Sequence, residues 1–331
     1  MDGRGVLPTT LLTGFLGSGK TTLLRRALAS PALADTAVII NEVGEIAIDH
    51  HIVNFVEGSV LELPGGCLCC AVREDLARTL RDLFERREAG AIKPFRRLAI
   101  ETSGLADPAP ILYTLAADPM LDARLGLARV VTVIDAVAGA AILDRFAEAA
   151  RQAAVADLIA ISKTDLAAAG PALTGRLDAL NPGAERVEGV ACDPGELLFA
   201  SSAPRAPAAR LWEGEEHGEH AAHSHGIDAF ALVLEGAISR LDFARALGEL
   251  ARARGADLLR VKGILAFADA PARPALVQAA QHALYAPEWL DAWPGEDRRS
   301  RLVFVVHEIP RAEILDRFAG AAPVIATSLS R

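Results

Sequence analysis

The chain is short of several things. Its 331 residues hold four cysteines, three of them within four positions. That is not the spread, even-numbered pattern of a disulfide-stapled secreted domain. Lysine and arginine number 34 against 43 acids, a formal net charge of −9. No basic field is present to draw in nucleic acid or acidic lipid, which excludes both as partners. Long apolar runs are missing too. The longest, from Val130 to Leu143, is interrupted by Asp135 and is too short to span a bilayer. The amino terminus reads Met-Asp-Gly-Arg, without the basic and then apolar regions of a secretory signal, so the expected location is the cytoplasm.

What is present is a folded chain of domain-forming size, 51% hydrophobic. Gly14 to Thr21 reads G-F-L-G-S-G-K-T, the spacing of a phosphate-cradling loop. An apolar, β-branched stretch from Leu7 to Thr13 precedes it, and a good helix former from Thr22 to Ala29 follows. Strand, glycine loop and helix is the context this loop needs. Gly14, Gly17 and Gly19 would let backbone amides close around a phosphate, with the helix N-terminus adding positive potential. Lys20 would reach the β- and γ-phosphates, and the Thr21 hydroxyl would hold Mg²⁺.

Short apolar runs recur at 37–40, 97–100, 130–134 and 157–161. Continuous apolarity fits parallel strands buried on both faces. Between them lie helical patterns. From Val72 to Glu88, Leu76, Leu80, Leu83 and Phe84 form one apolar stripe. The alternation predicts a doubly wound, mostly parallel α/β sheet of the P-loop type, with ligands beyond the carboxyl ends of its strands.

The residues at those ends carry chemistry. The second run leads into Asn41-Glu-Val-Gly-Glu-Ile-Ala-Ile-Asp49. This is where a nucleotide-sensing switch loop would lie, although an acidic turn reads similarly. Either Glu42 or Glu45 could orient an attacking water. Next, Cys67, Cys69 and Cys70 form C-x-C-C after Gly65-Gly66. Three thiolates this close suit Zn²⁺, Cu(I) or Co²⁺, and a surface redox thiol is the alternative. Tetrahedral zinc takes a fourth ligand. Glu42, a water, a histidine from elsewhere or a client protein could supply it. The third run ends in Glu101-Thr-Ser-Gly104, and an acid there would hold Mg²⁺ through water. Gly104 would let the backbone approach the γ-phosphate. The last run ends in Ser162-Lys163-Thr164-Asp165, close to the guanine-reading N-K-x-D with serine first. Asp165 can accept from guanine N1–H and the 2-amino group, which adenine lacks, and the Lys163 stem would stack on the base. GTP is therefore expected over ATP, with an ordinary N-capping S-x-x-D turn as the plain alternative.

Past residue 200 the texture changes. A Pro/Ala/Ser-rich stretch, 201–209, is followed by an acidic segment with His217, His220, His223 and His225. It reads as a linker with weak accessory metal affinity. After it come strand patterns at 227–234, 258–267 (a bent strand or a pair) and 301–306. A helix starts near Ser239 and another covers 311–318, together a smaller C-terminal α+β domain. The expected plan is 1–200, a linker over 201–226, and 227–331. Trp289 and Trp293 are read as core or rim packing, and Cys192 as a buried or incidental thiol.

Taken in order, G-F-L-G-S-G-K-T-T, N-E-V-G-E, G-G-C-L-C-C, E-T-S-G and S-K-T-D resemble the CobW-like GTPases. These are metallochaperones in the SIMIBI branch of P-loop GTPases, and the likeness covers almost the whole chain. It implies a slow GTPase, with GTP and Mg²⁺ as cofactors, whose nucleotide state gates delivery of zinc or cobalt to a client protein. It implies phosphate contacts at Gly17, Ser18, Gly19, Lys20, Thr21 and Thr22, and base contacts at Lys163 and Asp165. It also allows a homodimer paired across the nucleotide face. Two other functions stay open on the residues alone: an ATP-dependent P-loop kinase, and a non-catalytic metal buffer.

Overall fold

A computed structural model describes residues 6–40, 60–62, 69–188, 192–199, 225–293, 298–321 and 324–325, with side chains undescribed at 32, 60–62, 69–75, 194 and 324–325. The chain folds as two compact units, residues 1–174 with 184–202, and 175–183 with 203–331.

The first unit alternates strands and helices. Strand β1 is Leu7–Thr13 and helix α1 is Lys20–Leu28, with the glycine loop between them. Then come β2 (Thr36–Ile40), β3 (Val60–Glu62), α2 (Cys69–Glu88) and β4 (Arg97–Glu101). Two short helices follow, α3 (Ala109–Ala117) and α4 (Pro119–Arg124), before the long strand β5 (Leu125–Asp135). Next are α5 (Gly139–Arg145), α6 (Ala147–Ala154) and β6 (Leu158–Ser162). Helix α7 (Pro171–Leu180) spans the division between the two units, and β7 (Glu185–Glu188) and α8 (Pro194–Phe199) close the run.

All seven strands are parallel, in the order β3-β2-β4-β1-β5-β6-β7. The reversal of order beside β1 makes a topological switch point, where such sheets open a crevice for ligand. Register fixes what meets there. Glu101 pairs with Leu12 on one side and Ile40 on the other, Ile40 pairs with Glu62, and Asp135 pairs with Ser162. The central strands are largely apolar because both faces are covered, while the edge strand β7, Glu185-Arg-Val-Glu188, is charged and only partly buried. Leu11, Leu12, Ile39, Leu98, Ile100 and Val131 are all fully buried. The predicted stripe on α2 faces inward, with Leu76 and Leu80 fully buried and Leu83 and Phe84 nearly so. This helix starts at Cys69, three residues earlier than its apolar stripe announces. Cys69 and Cys70 therefore open a helix rather than continue the turn that Gly65-Gly66 suggests.

The second unit is an antiparallel sheet with helices. Its elements are β8 (Ile227–Leu234), α9 (Arg240–Arg254), β9 (Arg260–Ala266), β10 (Pro274–Ala280), β11 (Ala283–Leu284), β12 (Glu288–Trp289), β13 (Ser300–His307), α10 (Arg311–Ala319) and β14 (Val324–Ile325). The strand order is β11-β10-β9-β13-β8-β14, with β12 also on β10. Ser239 caps α9 by accepting from the Asp242 amide at 3.3 Å, as its place before the helix predicts. The stretch 258–267 is a single strand rather than a pair. Its neighbour β10 carries little strand signature in the sequence, with a leading proline and three alanines among seven residues. Phe230 stacks on Phe304 with centroids 5.6 Å apart, and Phe318 meets Phe304 edge-on at 5.6 Å. Trp289 packs on the rim of this core, 6.0 Å from Phe267. Phe304 is fully buried. Truncating it, Phe304→Ala, should cost about 3–5 kcal/mol of stability, read as a lower urea midpoint for the second unit's transition.

Candidate functional site

The glycine loop is built by conformations that side chains resist. Gly14 has φ 140 and Gly17 φ 72. A Cβ on Gly14 would lie 2.3 Å from the Val133 carbonyl oxygen, so the loop presses its backbone against β5. Gly19, at φ 97, leads into α1. The Lys20 ammonium donates to the carbonyls of Gly14 (2.9 Å) and Phe15 (3.3 Å), and the lysine is 8% exposed. Lys20 is thus folded back over the loop that precedes it. Thr22, by contrast, is exposed. The ring of Phe15 lies 4.5 Å from that of Phe146, which immediately precedes α6.

Beside the loop, Thr21 Oγ1 donates to Glu101 Oε1 at 2.8 Å, although the two are eighty positions apart. Glu101 is 3% exposed. Strand pairing of β1 with β4 brings them together, since β1 feeds the loop and β4 ends at the acid. A hydroxyl and a carboxylate are the oxygen donors that a hard divalent cation takes. Two serine hydroxyls, Ser18 Oγ and Ser103 Oγ, are buried with no hydrogen-bond partner among the described residues. Buried polar atoms are normally satisfied. Their placement, one in the glycine loop and one after β4, fits a ligand that brings its own oxygens.

The segment after β4 is clamped to the glycine loop and to α6. A Cβ on Gly104 would sit 2.7 Å from both Leu16 Cα and Leu16 N. The fully buried Gln152 donates to the carbonyls of Gly104 (3.3 Å) and Ala106 (3.0 Å). Arg151 meets Asp107 at 3.3 Å. Sequence reasoning passed over Gln152, whose surroundings in an alanine-rich helix carry no signal.

At the other end of the crevice lies the S-K-T-D turn. Ser162 Oγ donates to the Ser18 carbonyl at 2.5 Å, a tie from this turn to the glycine loop. Serine in place of asparagine at the first position of this turn thus still ties it to the glycine loop. Lys163 pairs with Asp135 at 2.5 Å, and Asp165 is exposed. In the sequence Asp135 stands only as an interruption of an apolar run. Burial pushes its carboxyl pKa up, but the Lys163 ammonium and the amides of Val137 and Ala138 outweigh burial and hold it below the ordinary carboxylate range.

Glu42, Cys67, His217, His220 and His223 lie outside the described residues, and so does Glu45. The backbones of Cys69 and Cys70 are placed, and their side chains are not described. His225 is described, with φ 50. Among the described residues no three His, Cys, Asp or Glu side chains gather as a metal site, and no helix is long and apolar enough to cross a membrane. The separate thiol Cys192 is half-buried, and burial raises its pKa.

Two family models match the chain. Residues 8–188 fit the CobW/HypB/UreG nucleotide-binding domain, and residues 227–322 fit the cobalamin synthesis protein CobW C-terminal domain. The chain belongs to the CobW/HypB/UreG family. Among its CobW-family relatives, a protein of Escherichia coli (strain K12) named zinc chaperone YjiA is 33% identical over 95% of this chain and 98% of its own length. A zinc chaperone CobW from a Sinorhizobium species is 31% identical over 94% of this chain and 96% of its own. The crystal structure of Zn(II)-bound YjiA GTPase from Escherichia coli superposes with a TM-score of 0.65 at 28% identity, covering 96% of this chain and 99% of that one.

Two outcomes follow from the geometry. Gly104→Ala forces its new methyl onto Leu16 backbone, so nucleotide turnover should fall by at least tenfold while the chain stays folded, measured as phosphate release beside a melting curve. Asp135, with its folded pKa depressed, stabilises the native state above its unfolded pKa and loses that contribution as pH falls through the folded value. In urea titrations, the stability gap between wild type and Asp135→Asn should be full at pH 7 and close as pH drops below the ordinary carboxylate range.

Proposed function

We propose that this chain is a GTP-hydrolysing metallochaperone: it binds a transition metal, zinc before cobalt, at its C-x-C-C thiols and hands it to a client protein under nucleotide control. GTP hydrolysis follows from membership of the family together with the relative named YjiA GTPase. The preference for zinc draws on the zinc-chaperone relatives, which align over nearly their full length.

The observation that carries the reading is the Thr21–Glu101 hydrogen bond at 2.8 Å. It joins the glycine loop to the acid that ends β4, at the edge from which β2 and β3 also lead onward. In this reading Gly14, Gly17, Ser18, Gly19, Lys20, Thr21 and Thr22 hold the phosphates, with Lys20 leaving the Gly14 and Phe15 carbonyls for them. Ser162, Lys163 and Asp165 hold the base. Thr21 and Glu101 would hold Mg²⁺, which when bound neutralises charge developing on the transferred phosphoryl group. Glu42 is assigned the attacking water and a place in the metal site. It follows Ile40 by two residues, and Ile40 is the register partner of Glu101.

For the cargo, Cys67, Cys69 and Cys70 supply thiolates. Cys69 and Cys70 sit in the first turn of the twenty-residue α2, and a helix N-terminus favours anions. Three thiolates leave a coordination place for Glu42, a water or a group of the receiving client, which suits transfer over storage. His217, His220, His223 and His225 add weak capture from a linker between the two proposed domains, 1–200 and 227–331.

Lys20→Ala separates the parts. It should abolish GTP turnover and leave zinc stoichiometry at the thiols intact. In the wild type, a non-hydrolysable GTP analogue should change zinc affinity by about fivefold or more, the lower range of allosteric coupling. Equal loss of turnover and zinc binding in folded Lys20→Ala contradicts the reading. Zinc affinity indifferent to nucleotide would favour a plain buffer, and a clear ATP preference would favour a kinase.

A further inference from the structure

The base end of the site has a support that lies in none of the motifs. Lys163 adopts φ 56, a left-handed backbone that non-glycine residues seldom take. Such a conformation persists where the surroundings over-determine it, and here they do. The Lys163 ammonium donates to Asp135 Oδ2 at 2.5 Å. The other oxygen of Asp135 accepts from the amides of Val137 (2.7 Å) and Ala138 (3.3 Å). Asp135 is 6% exposed, so its carboxylate has little solvent to exchange for the lysine. The Ala136 amide donates to the Ser162 carbonyl at 3.0 Å, and Ser162 Oγ reaches the glycine loop. Three loops are thus tied around one lysine. That lysine keeps a side chain 38% exposed, with its charged tip pinned.

A surface ion pair contributes little on its own and needs no unusual backbone. The Asp135–Lys163 pair differs, because its acid is buried and its lysine is held at one end only. The two acids near the turn also divide. Asp135 is buried and engaged with the ammonium, while Asp165 is exposed to solvent.

We infer that Asp135 is a positioning residue for nucleotide recognition: by anchoring the Lys163 ammonium it fixes the lysine stem as an apolar ledge for a purine ring, and leaves Asp165 to read the edge of the base. This rests on the reading of Ser162–Asp165 as the base-binding turn. A ledge supports any purine equally, whereas an edge reader discriminates among them. The two acids should therefore fail in different ways.

Asp135→Asn keeps the size and removes the charge. Titrated with GTP, GDP and inosine triphosphate, which lacks the 2-amino group, it should bind all three about tenfold more weakly, the size of one charge-assisted hydrogen bond. The GTP to inosine triphosphate ratio should stay at its wild-type value, and the loss should fall on KM rather than kcat. Asp165→Asn should instead reduce that ratio. Lys163→Met keeps an unbranched stem without the ammonium and should match Asp135→Asn. The double variant should be no more than about twofold weaker than either single one, since both remove the same contact. Unchanged affinity in Asp135→Asn, additive losses in the double variant, or a changed GTP to inosine triphosphate ratio would each overturn the inference. If Asp135→Asn does not fold, Lys163→Met alone decides, and wild-type affinity there is the negative result. A wild type that prefers ATP would defeat the guanine reading only. The ledge would then be tested with ATP, whose binding Asp135→Asn must still weaken.

Discussion

Everything in the site depends on parallel register. Seven strands running the same way bring their carboxyl ends to one edge, and the chain leaves each strand there as a loop. Register then decides which loops are neighbours. Because Glu101 pairs with Leu12 and Ile40, the acid that ends β4 lies between the glycine loop and the departure of the Asn41–Asp49 segment. The Thr21–Glu101 bond is the local consequence. It needs no long side chains, only two strands in step, and a slip of one residue would turn the carboxylate to the other face of the sheet.

The core explains why that register holds. Leu11, Leu12, Ile39, Leu98, Ile100 and Val131 are fully buried, so the central strands β1, β2, β4 and β5 bury apolar side chains under the flanking helices. Polar groups at the edge are held by partners from other elements of the chain. Gln152 holds the carbonyls after β4, Ser162 holds the glycine loop, and Asp135 holds Lys163. Buried polar contacts of this kind specify one arrangement, because each costs free energy if its partner moves away.

The sequence made the frame legible where signals are local. Leu7–Thr13 and Ile227–Leu234 coincide with the strands read from apolar runs, and the α2 stripe is buried as its spacing requires. The nucleotide loop was readable because its glycines answer a local backbone demand. Asp135 and Gln152 were not. An acid closing a strand means little until the lysine twenty-eight positions later is seen against it. A glutamine among alanines means little until the carbonyls of Gly104 and Ala106 are seen above it. The start of α2 was misplaced for a related reason. Its apolar stripe begins at Leu76, while its first turn carries cysteines that no helix pattern announces. Strand β3 has only three residues and too little length for periodicity.

The order β3-β2-β4-β1 has a consequence for wiring length. Strand β3, which leads toward the cysteines, is two places from β4, which ends in Glu101. Neighbouring strands are about 4.8 Å apart, so that separation is roughly 10 Å. Under the proposed nucleotide control of the thiols, a signal would have only that short stretch of rim to cross, with no relay through the hydrophobic interior. The contacts that register creates there, Glu101 beside Thr21 and Asp135 beside Ser162, stand in a single row of strand ends.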